Sequence, residues 1–340
     1  MDTISIKIKS EAKFTDKEIK SIERHKFLKV TRAKRDSDNA IILKISYPKF
    51  MDDSNAYLVM DSNIPHECNY KIYRILNKLR PKEDLEIRIL RVDIPFTYYM
   101  PKNMKFSGYK HIFYKMAQIF AKNNESFLVK SINEFTEDKI ETLTFANSTT
   151  LKNCNSKIVI YNQDKRFKDS HNYNYKSILK NHPDLPRRIR IEVSKRIKRA
   201  PMTLDEFIDF DIFNEYKDDY LNYLFKNLFD AKLSERGNLE FGDLLTDIQI
   251  NESKIWLKHL KNYKNKRLLI AEKYNCKFTL KSLKIALKKF YSKSSSYDTA
   301  FQRIKEYVKE RHMEFYGCHI DADKEFIKMA KSLVEYYKFE

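Results

Sequence analysis

Apolar and polar residues alternate along ISIKIK (Ile4 to Lys9) and again along LEIRILRVDI (Leu85 to Ile94), the period-two signature of half-buried strands. AIILKISY (Ala40 to Tyr47) and AYLVM (Ala56 to Met60) are denser apolar runs bounded by polar or turn residues, and they predict two more strands. In LEIRILRVDI the alternation puts Glu86, Arg88 and Leu90 on one face, and Pro95 predicts the strand's end, because proline has no N–H to give a ladder. Helical spacing takes over in CNYKIYRILNKL (Cys68 to Leu79) and in YKHIFYKMAQIFAKN (Tyr109 to Asn123). ETLTFANS, KIVIYNQ and RRIRIEVSK then predict three further strands, the last two joined by a polar stretch rich in Asn, Asp and Lys. This order, with long connections and no regular βαβ alternation, predicts an α+β fold: an antiparallel sheet with flanking helices.

After Pro201 the pattern changes. Thr203 and Glu206 make a capping box for a helix, interrupted in places, through DEFIDFDIFNEYKDDYLNYLFKNLF. Gly237 and Gly242 mark a turn region, and from Asn251 onward the spacing is almost wholly helical. The boundary falls loosely between Asp230 and Asp243, giving a strand-rich domain over 1–235 and an all-α domain over 236–340.

Composition adds a partner to this outline. The 340 residues carry 66 Lys and Arg against 47 Asp and Glu, a net charge of +19, which predicts a polyanionic partner, most often nucleic acid. Between Lys254 and Lys293 stand thirteen basic residues and one acid, Glu272, for a net +12 in that segment alone. Within it AEKYNCKFTLKSLKIALKKF, with Thr279 as an N-cap, has the outline of a helix-turn-helix. The alternative is a solvated lysine-rich face. Trp256 and His259 in the same segment read as packing residues.

Other features exclude. Four glycines, Gly108, Gly237, Gly242 and Gly317, are too few and too scattered for a phosphate-cradling loop, so no nucleotide-driven motor is expected. The four cysteines form no C-x-x-C pair and read as reduced thiols. No apolar run approaches a membrane span, and MDTISIKIKSEAKF is neither a signal peptide nor an acylation site, so a cytoplasmic protein with no membrane partner is expected.

Three of the predicted strands carry ionisable residues among Ile, Val, Leu and Arg: Asp93 in ILRVDIPF, Tyr161 in KIVIYNQDK, and Arg190 with Glu192 in RRIRIEVSK. A carboxylate in such a run is costly unless paired or metal-bound. Two carboxylates converging from separate strands can hold a divalent cation that leaves positions for water and a phosphate oxygen. A tyrosine beside that cation, its phenol pKa lowered by positive charge, can attack the phosphate, and Lys157 and Lys165 flank Tyr161. The other reading of the same residues is a salt-bridge ladder across a sheet with Tyr161 packed at its edge.

The order RVDI, ETLTFANS, KIVIYNQDKRF, LPRRIRIEVSKRIKR, preceded by AYLVMDSNIPHECN, resembles the rolling-circle replication initiators of the filamentous-phage gene II protein type, with their plasmid- and transposon-borne relatives. The resemblance covers roughly residues 40 to 200. It implies a nickase-like palm in the first domain, Tyr161 as the nicking nucleophile, Asp93 and Glu192 at a Mg2+ or Mn2+ ion, and Arg190 as the basic residue beside the second acid. Lys165 joins them as a charge stabiliser. Two features depart from the pattern: the eight histidines are scattered, with no His-hydrophobe-His motif, and Ser194 stands where some relatives carry another acid.

The expected function is a site-specific single-strand endonuclease and strand transferase acting through a 5′-phosphotyrosine. Its partners are origin double-stranded DNA, single-stranded DNA, and a bacterial host's helicase and polymerase, with no nucleotide. The expected DNA contacts are Arg187, Arg188, Lys195 and Arg196 around the last strand, and Lys258, Lys261, Lys264, Arg267, Lys277, Lys281, Lys284 and Lys288 in the basic segment. Tyr98 and Tyr99 are placed to stack on unpaired bases. Tyr216 and Tyr220 form a competing Y-x-x-x-Y pair on one helical face. The alternative function is a non-catalytic winged-helix initiator or origin-binding regulator; a tyrosine recombinase is disfavoured because its Arg…His-x-x-Arg…Tyr order is absent.

Overall fold

The computed structural model describes residues 2–33, 39–59, 63–81, 83–102, 104–130, 142–151, 154–169, 174–229, 231–233, 239–241, 287–289, 296–302 and 322–335. Its centre is an eight-stranded sheet: β1 (Thr3–Lys9), β2 (Leu28–Arg32), β3 (Ala40–Ser46), β4 (Glu86–Tyr99), β5 (Leu128–Lys130), β6 (Thr142–Ala146), β7 (Ser156–Asn162) and β8 (Arg188–Arg196). The spatial order is β2-β3-β1-β4-β8-β7-β6-β5, and every neighbouring pair is antiparallel. This is the expected α+β class.

The helices are α1 (Asp16–Glu23), α2 (Tyr47–Asp52), α3 (Asn63–Leu79), α4 (Lys110–Asn123), α5 (Gln163–Asp169), α6 (Tyr175–Asn181), α7 (Leu204–Ile208), α8 (Ile212–Leu224) and α9 (Ala322–Glu335). Two begin with complete capping boxes, Thr15 with Glu18 at α1 and Thr203 with Glu206 at α7. The long helix expected after Pro201 is divided at Asp209 to Asp211, and α8 runs on into a wider π-turn over Phe225–Phe229.

The sheet keeps its apolar side chains on one face, as the alternation requires, while polar side chains of the central strands are buried on the other. Ile4, Leu43, Ile94, Phe96, Ile158, Ile160, Ile191 and Val193 are fully buried and share one core with side chains of α3, α4, α7, α8 and α9. Ile191 sits at its middle, between Phe96 on β4 and Ile160 on β7. Ile191→Ala removes three carbons where neighbouring strands cannot close the gap, and we expect a loss of about 3 kcal/mol, read from chemical denaturation. An unchanged midpoint would contradict this placement.

In β4 the alternation slips. Ser5 of β1 faces Arg91 and Ile6 faces Ile89, so Leu90 is an extra residue. Ile87 and Ile89 point to the core before this bulge, and Val92 and Ile94 after it. The bulge therefore turns Arg91 and Asp93 onto the opposite, polar face. Pro95 does not end the strand as expected. Pairing with β1 stops at Thr3 opposite Asp93, so beyond that point the missing N–H costs no bond on that side, while pairing with β8 runs to Tyr99.

AYLVM is not a strand over its described residues, 56–59. Ala56 is buried in a turn, and its carbonyl accepts from Arg188 Nη1 at 2.5 Å. The all-α basic domain expected over 236–340 lies mostly outside the described residues. One helix from that range, α9, packs into the sheet's own core: Phe326 lies against Phe229 with ring centroids 5.0 Å apart, and Glu325 accepts from Tyr98 and, at 2.8 Å, from Tyr109. Among the described residues no helix is long and apolar enough to cross a membrane.

Candidate functional site

On the polar face the ladder writes out three rows. Asp93, Ser194 and Lys157 stand side by side on β4, β8 and β7; next come Pro95, Glu192 and Val159; then Thr97, Arg190 and Tyr161. The sheet thus brings together Asp93, Tyr161, Arg190 and Glu192. Glu192 has Pro95 and Val159 as neighbours in its own row, neither with a polar side chain. Its carboxylate turns diagonally, and Tyr161 donates its hydroxyl hydrogen to Glu192 Oε1.

Asp93 is buried and takes a two-pronged bond from Arg91, Nε to Oδ1 at 2.7 Å and Nη2 to Oδ2 at 2.9 Å. Arg190, 1 % exposed, donates Nη1 to Thr97 Oγ1 at 3.2 Å and faces Asp2 Oδ1 from Nη2 at 3.9 Å. Asp2, Asp93 and Glu192 line a cleft of about 740 Å3 together with Lys44, Arg91, Lys157 and Arg166, whereas Tyr161 and Arg190 are buried and not among its lining residues. The chain matches no family model, no curated protein and no solved structure.

The site is therefore read from its own geometry, and two of its groups escaped the sequence. Asp2 precedes the alternating run, so the strand pattern gives it no place; the sheet sets it beside Asp93, whose carbonyl accepts the Asp2 N–H at 3.3 Å. Burial, and then the charge of Glu192, push its carboxyl up to about 7. The other group is Arg166. Because α5 starts at Gln163, directly after Tyr161 and Asn162, its first turn lays the Arg166 guanidinium over the Tyr161 ring at 4.3 Å. Lys165, the expected charge stabiliser, is not among the residues lining the cleft; its backbone N–H bonds Asn162 Oδ1 at 3.2 Å.

Electrostatics at Tyr161 run against expectation. Burial and the neighbouring Glu192 push the phenol well above its usual 10, and Arg190 and Arg166 offset only part of this. The expected lowering by positive charge is not what these side chains produce. Lys157 is held below its ordinary value by burial and then by the charge of Arg91.

The competing tyrosines lie elsewhere. Tyr220 on α8 is fully buried on the core side of the sheet, donates to the Val92 carbonyl at 3.1 Å, and lies under Lys195. Tyr216 is partly buried beside it. Tyr98 also faces the core, which removes it as a platform for bases, whereas Tyr99 is on the cleft side and partly buried.

The expected DNA contacts are placed unevenly. Arg188 is buried and spends its guanidinium on Asp184 and on Ala56 O. Lys195 pairs with Asp219 at 2.6 Å, Arg187 donates to Met100 O at 2.7 Å, and Arg196 is exposed at the strand end. Lys288 is exposed, with its ammonium 5.6 Å from the Tyr297 ring. Lys258, Lys261, Lys264, Arg267, Lys277, Lys281 and Lys284 lie outside the described residues, as do Trp256, His259 and the helix-turn-helix outline. Among the described residues no three His, Cys, Asp or Glu side chains stand as a ready-made metal cage.

Proposed function

We propose that the chain is a DNA-nicking and strand-joining initiator of rolling-circle replication, with a nickase-like palm and Tyr161 as nucleophile. The observation that carries this reading is the hydrogen bond from Tyr161 to Glu192 at a cleft that Asp93 shares and that four cationic side chains line. Glu192 accepts the phenol proton as Tyr161 Oη attacks phosphorus. The P–O3′ bond breaks, the 3′ oxygen takes up a proton, and the downstream strand stays joined through a 5′-phosphotyrosine. Arg166 and Lys157, which line the cleft, would carry the positive charge that meets the phosphate, with Arg190 adding its charge from the buried row beside Tyr161.

Asp93 and Glu192 would hold Mg2+ or Mn2+, and the buried Asp2 Oδ1, which has no hydrogen-bond partner, fits such a site. The cation, when bound, supplies charge neutralisation at the phosphate. The covalent link keeps the energy of the broken bond, so rejoining needs no nucleotide; a host polymerase would extend the free 3′-OH in the bacterial cytoplasm while a host helicase unwinds. Basic residues of the 254–293 segment would hold the origin duplex.

The test is incubation of wild type and Tyr161→Phe with 5′- and 3′-labelled single-stranded oligonucleotides and Mn2+, read on a denaturing protein gel. Wild type is expected to retain the 3′-labelled fragment and Tyr161→Phe to retain none. An adduct persisting in the mutant would move the chemistry to another tyrosine. The second reading, a non-catalytic origin-binding protein, draws on the 4 % exposure of Tyr161 and its raised pKa. It predicts DNA binding with no adduct from either protein.

A further inference from the structure

The cleft holds three acids, and they are not equivalent. Both oxygens of Asp93 lie in the Arg91 fork, and Glu192 Oε1 accepts the Tyr161 hydroxyl. Asp2 is different. Its residue is 4 % exposed, its Oδ1 has no hydrogen-bond partner, and Arg190 Nη2 stands 3.9 Å from that oxygen. Burying a carboxylate oxygen without a donor is costly, and a fold that keeps one has a use for it or something to cover it.

Asp2 is also firmly placed. Its N–H donates to Asp93 O at 3.3 Å and its carbonyl accepts from Tyr47 N–H at 3.0 Å, so its backbone is held on both sides. That sets Asp2 in the lining of the same cleft as Asp93 and Glu192, with its unpartnered oxygen buried beneath the surface. The chemistry that suits a bare carboxylate oxygen beside two further carboxylates is a hard divalent cation, which takes oxygen ligands and keeps waters for the remaining positions.

We propose that Asp2 is the third carboxylate of a Mg2+ or Mn2+ site with Asp93 and Glu192. This rests on the reading of the cleft as a metal-dependent site. As they stand the three side chains do not close around a point, and for them to do so Arg91 must give up its fork on Asp93 and Tyr161 its bond to Glu192 Oε1. Arg91, 38 % exposed at its side chain, releases Asp93 to the cation and remains in the cleft near Lys157, where its freed fork meets a phosphate. Asp2 is the anchor because its oxygen needs no release.

The test is Mn2+ binding to the full chain, followed by electron paramagnetic resonance of the free ion, for wild type, Asp2→Asn, Asp93→Asn and Glu192→Gln. Asp2→Asn is expected to weaken binding about 10-fold or more, as each of the other two does. Thermal unfolding in chelator checks the fold: Asp2→Asn should match or exceed wild type, because it removes like-charge crowding. It should also lose the rise in midpoint that Mn2+ gives wild type. If Asp2→Asn binds Mn2+ as wild type does while Asp93→Asn or Glu192→Gln weakens it, the Asp2 carboxyl carries a proton instead; the assignment falls and the metal-dependent reading stands. If wild type itself binds no Mn2+ that responds to any of the three, assignment and cation site fall together, leaving the Tyr161 adduct to be judged by its own assay.

Discussion

Arg190→Met is expected to lower the unfolding free energy by about 3–5 kcal/mol in chelator at pH 8, the cost of removing one partner from a buried charge set. Arg190 is 1 % exposed and lies between groups that repel each other without it: Asp2 at 3.9 Å, and Glu192 next to it on β8. Methionine fills the volume of the stem but brings no charge and no donor for Thr97 Oγ1. The deficit should depend on pH with a definite sign. The Asp2 carboxyl, raised to about 7 in the fold from 3.8, favours the folded state fully below 3.8, and that contribution is lost as pH rises through 7. Without Arg190, which pulls this value down, the carboxyl rises further. The variant should thus lag wild type most at pH 8 and least at pH 5. Urea titrations at the two pH values read this directly, and coincident curves at pH 8 would sink it.

Arg80→Met should cost about 3 kcal/mol by a different route. Arg80 ties the segment between β1 and α1 to the end of α3: it reaches Glu18 at 2.9 Å, Glu83 at 3.0 Å, Ser10 Oγ at 2.5 Å, and the carbonyls of Ala12 at 3.1 Å and Lys13 at 2.8 Å. Its guanidinium also covers the Phe14 ring at 4.3 Å. Burial works to raise Glu18 and Glu83, but hydrogen bonds, chiefly from Arg80 to Glu18 and from Ser10 and Arg80 to Glu83, outweigh it and hold both below their ordinary 4.5. Depressed carboxylates stabilise the fold above pH 4.5 and lose that contribution as pH falls through their folded values. Wild type should therefore weaken in acid more steeply than Arg80→Met. Parallel acid limbs in the two proteins would show that the network contributes little.

Much of this architecture was legible in the chain. The alternation in ISIKIK, ETLTFANS, KIVIYNQ and RRIRIEVSK survives as β1, β6, β7 and β8 because each strand has one face in the core and one outside it. The acids stood out for the same reason: Asp93 and Glu192 interrupt runs that are otherwise apolar or basic. What stayed hidden depended on geometry that no local pattern carries. The bulge at Leu90 shows only once β1 is laid beside β4. AYLVM has the composition of a strand, but Arg188 takes the carbonyl of Ala56 from a distant segment. Leu28–Arg32 buries just Leu28 and Val30, too weak a pattern to stand out as a strand. The choice of Arg166 over Lys165 follows from where α5 begins, and a one-residue shift in that start would reverse it.

The 5.0 Å between the rings of Phe229 and Phe326 has a consequence for everything that lies between them in sequence. A stretch whose two ends meet at one point is tethered to the sheet twice. The thirteen basic residues from Lys254 to Lys293 fall between those two points in sequence. Under the proposed function, a polyanion bound by them would be held on the same molecule as the cleft, and its local concentration there would be set by that tether and not by the bulk solution.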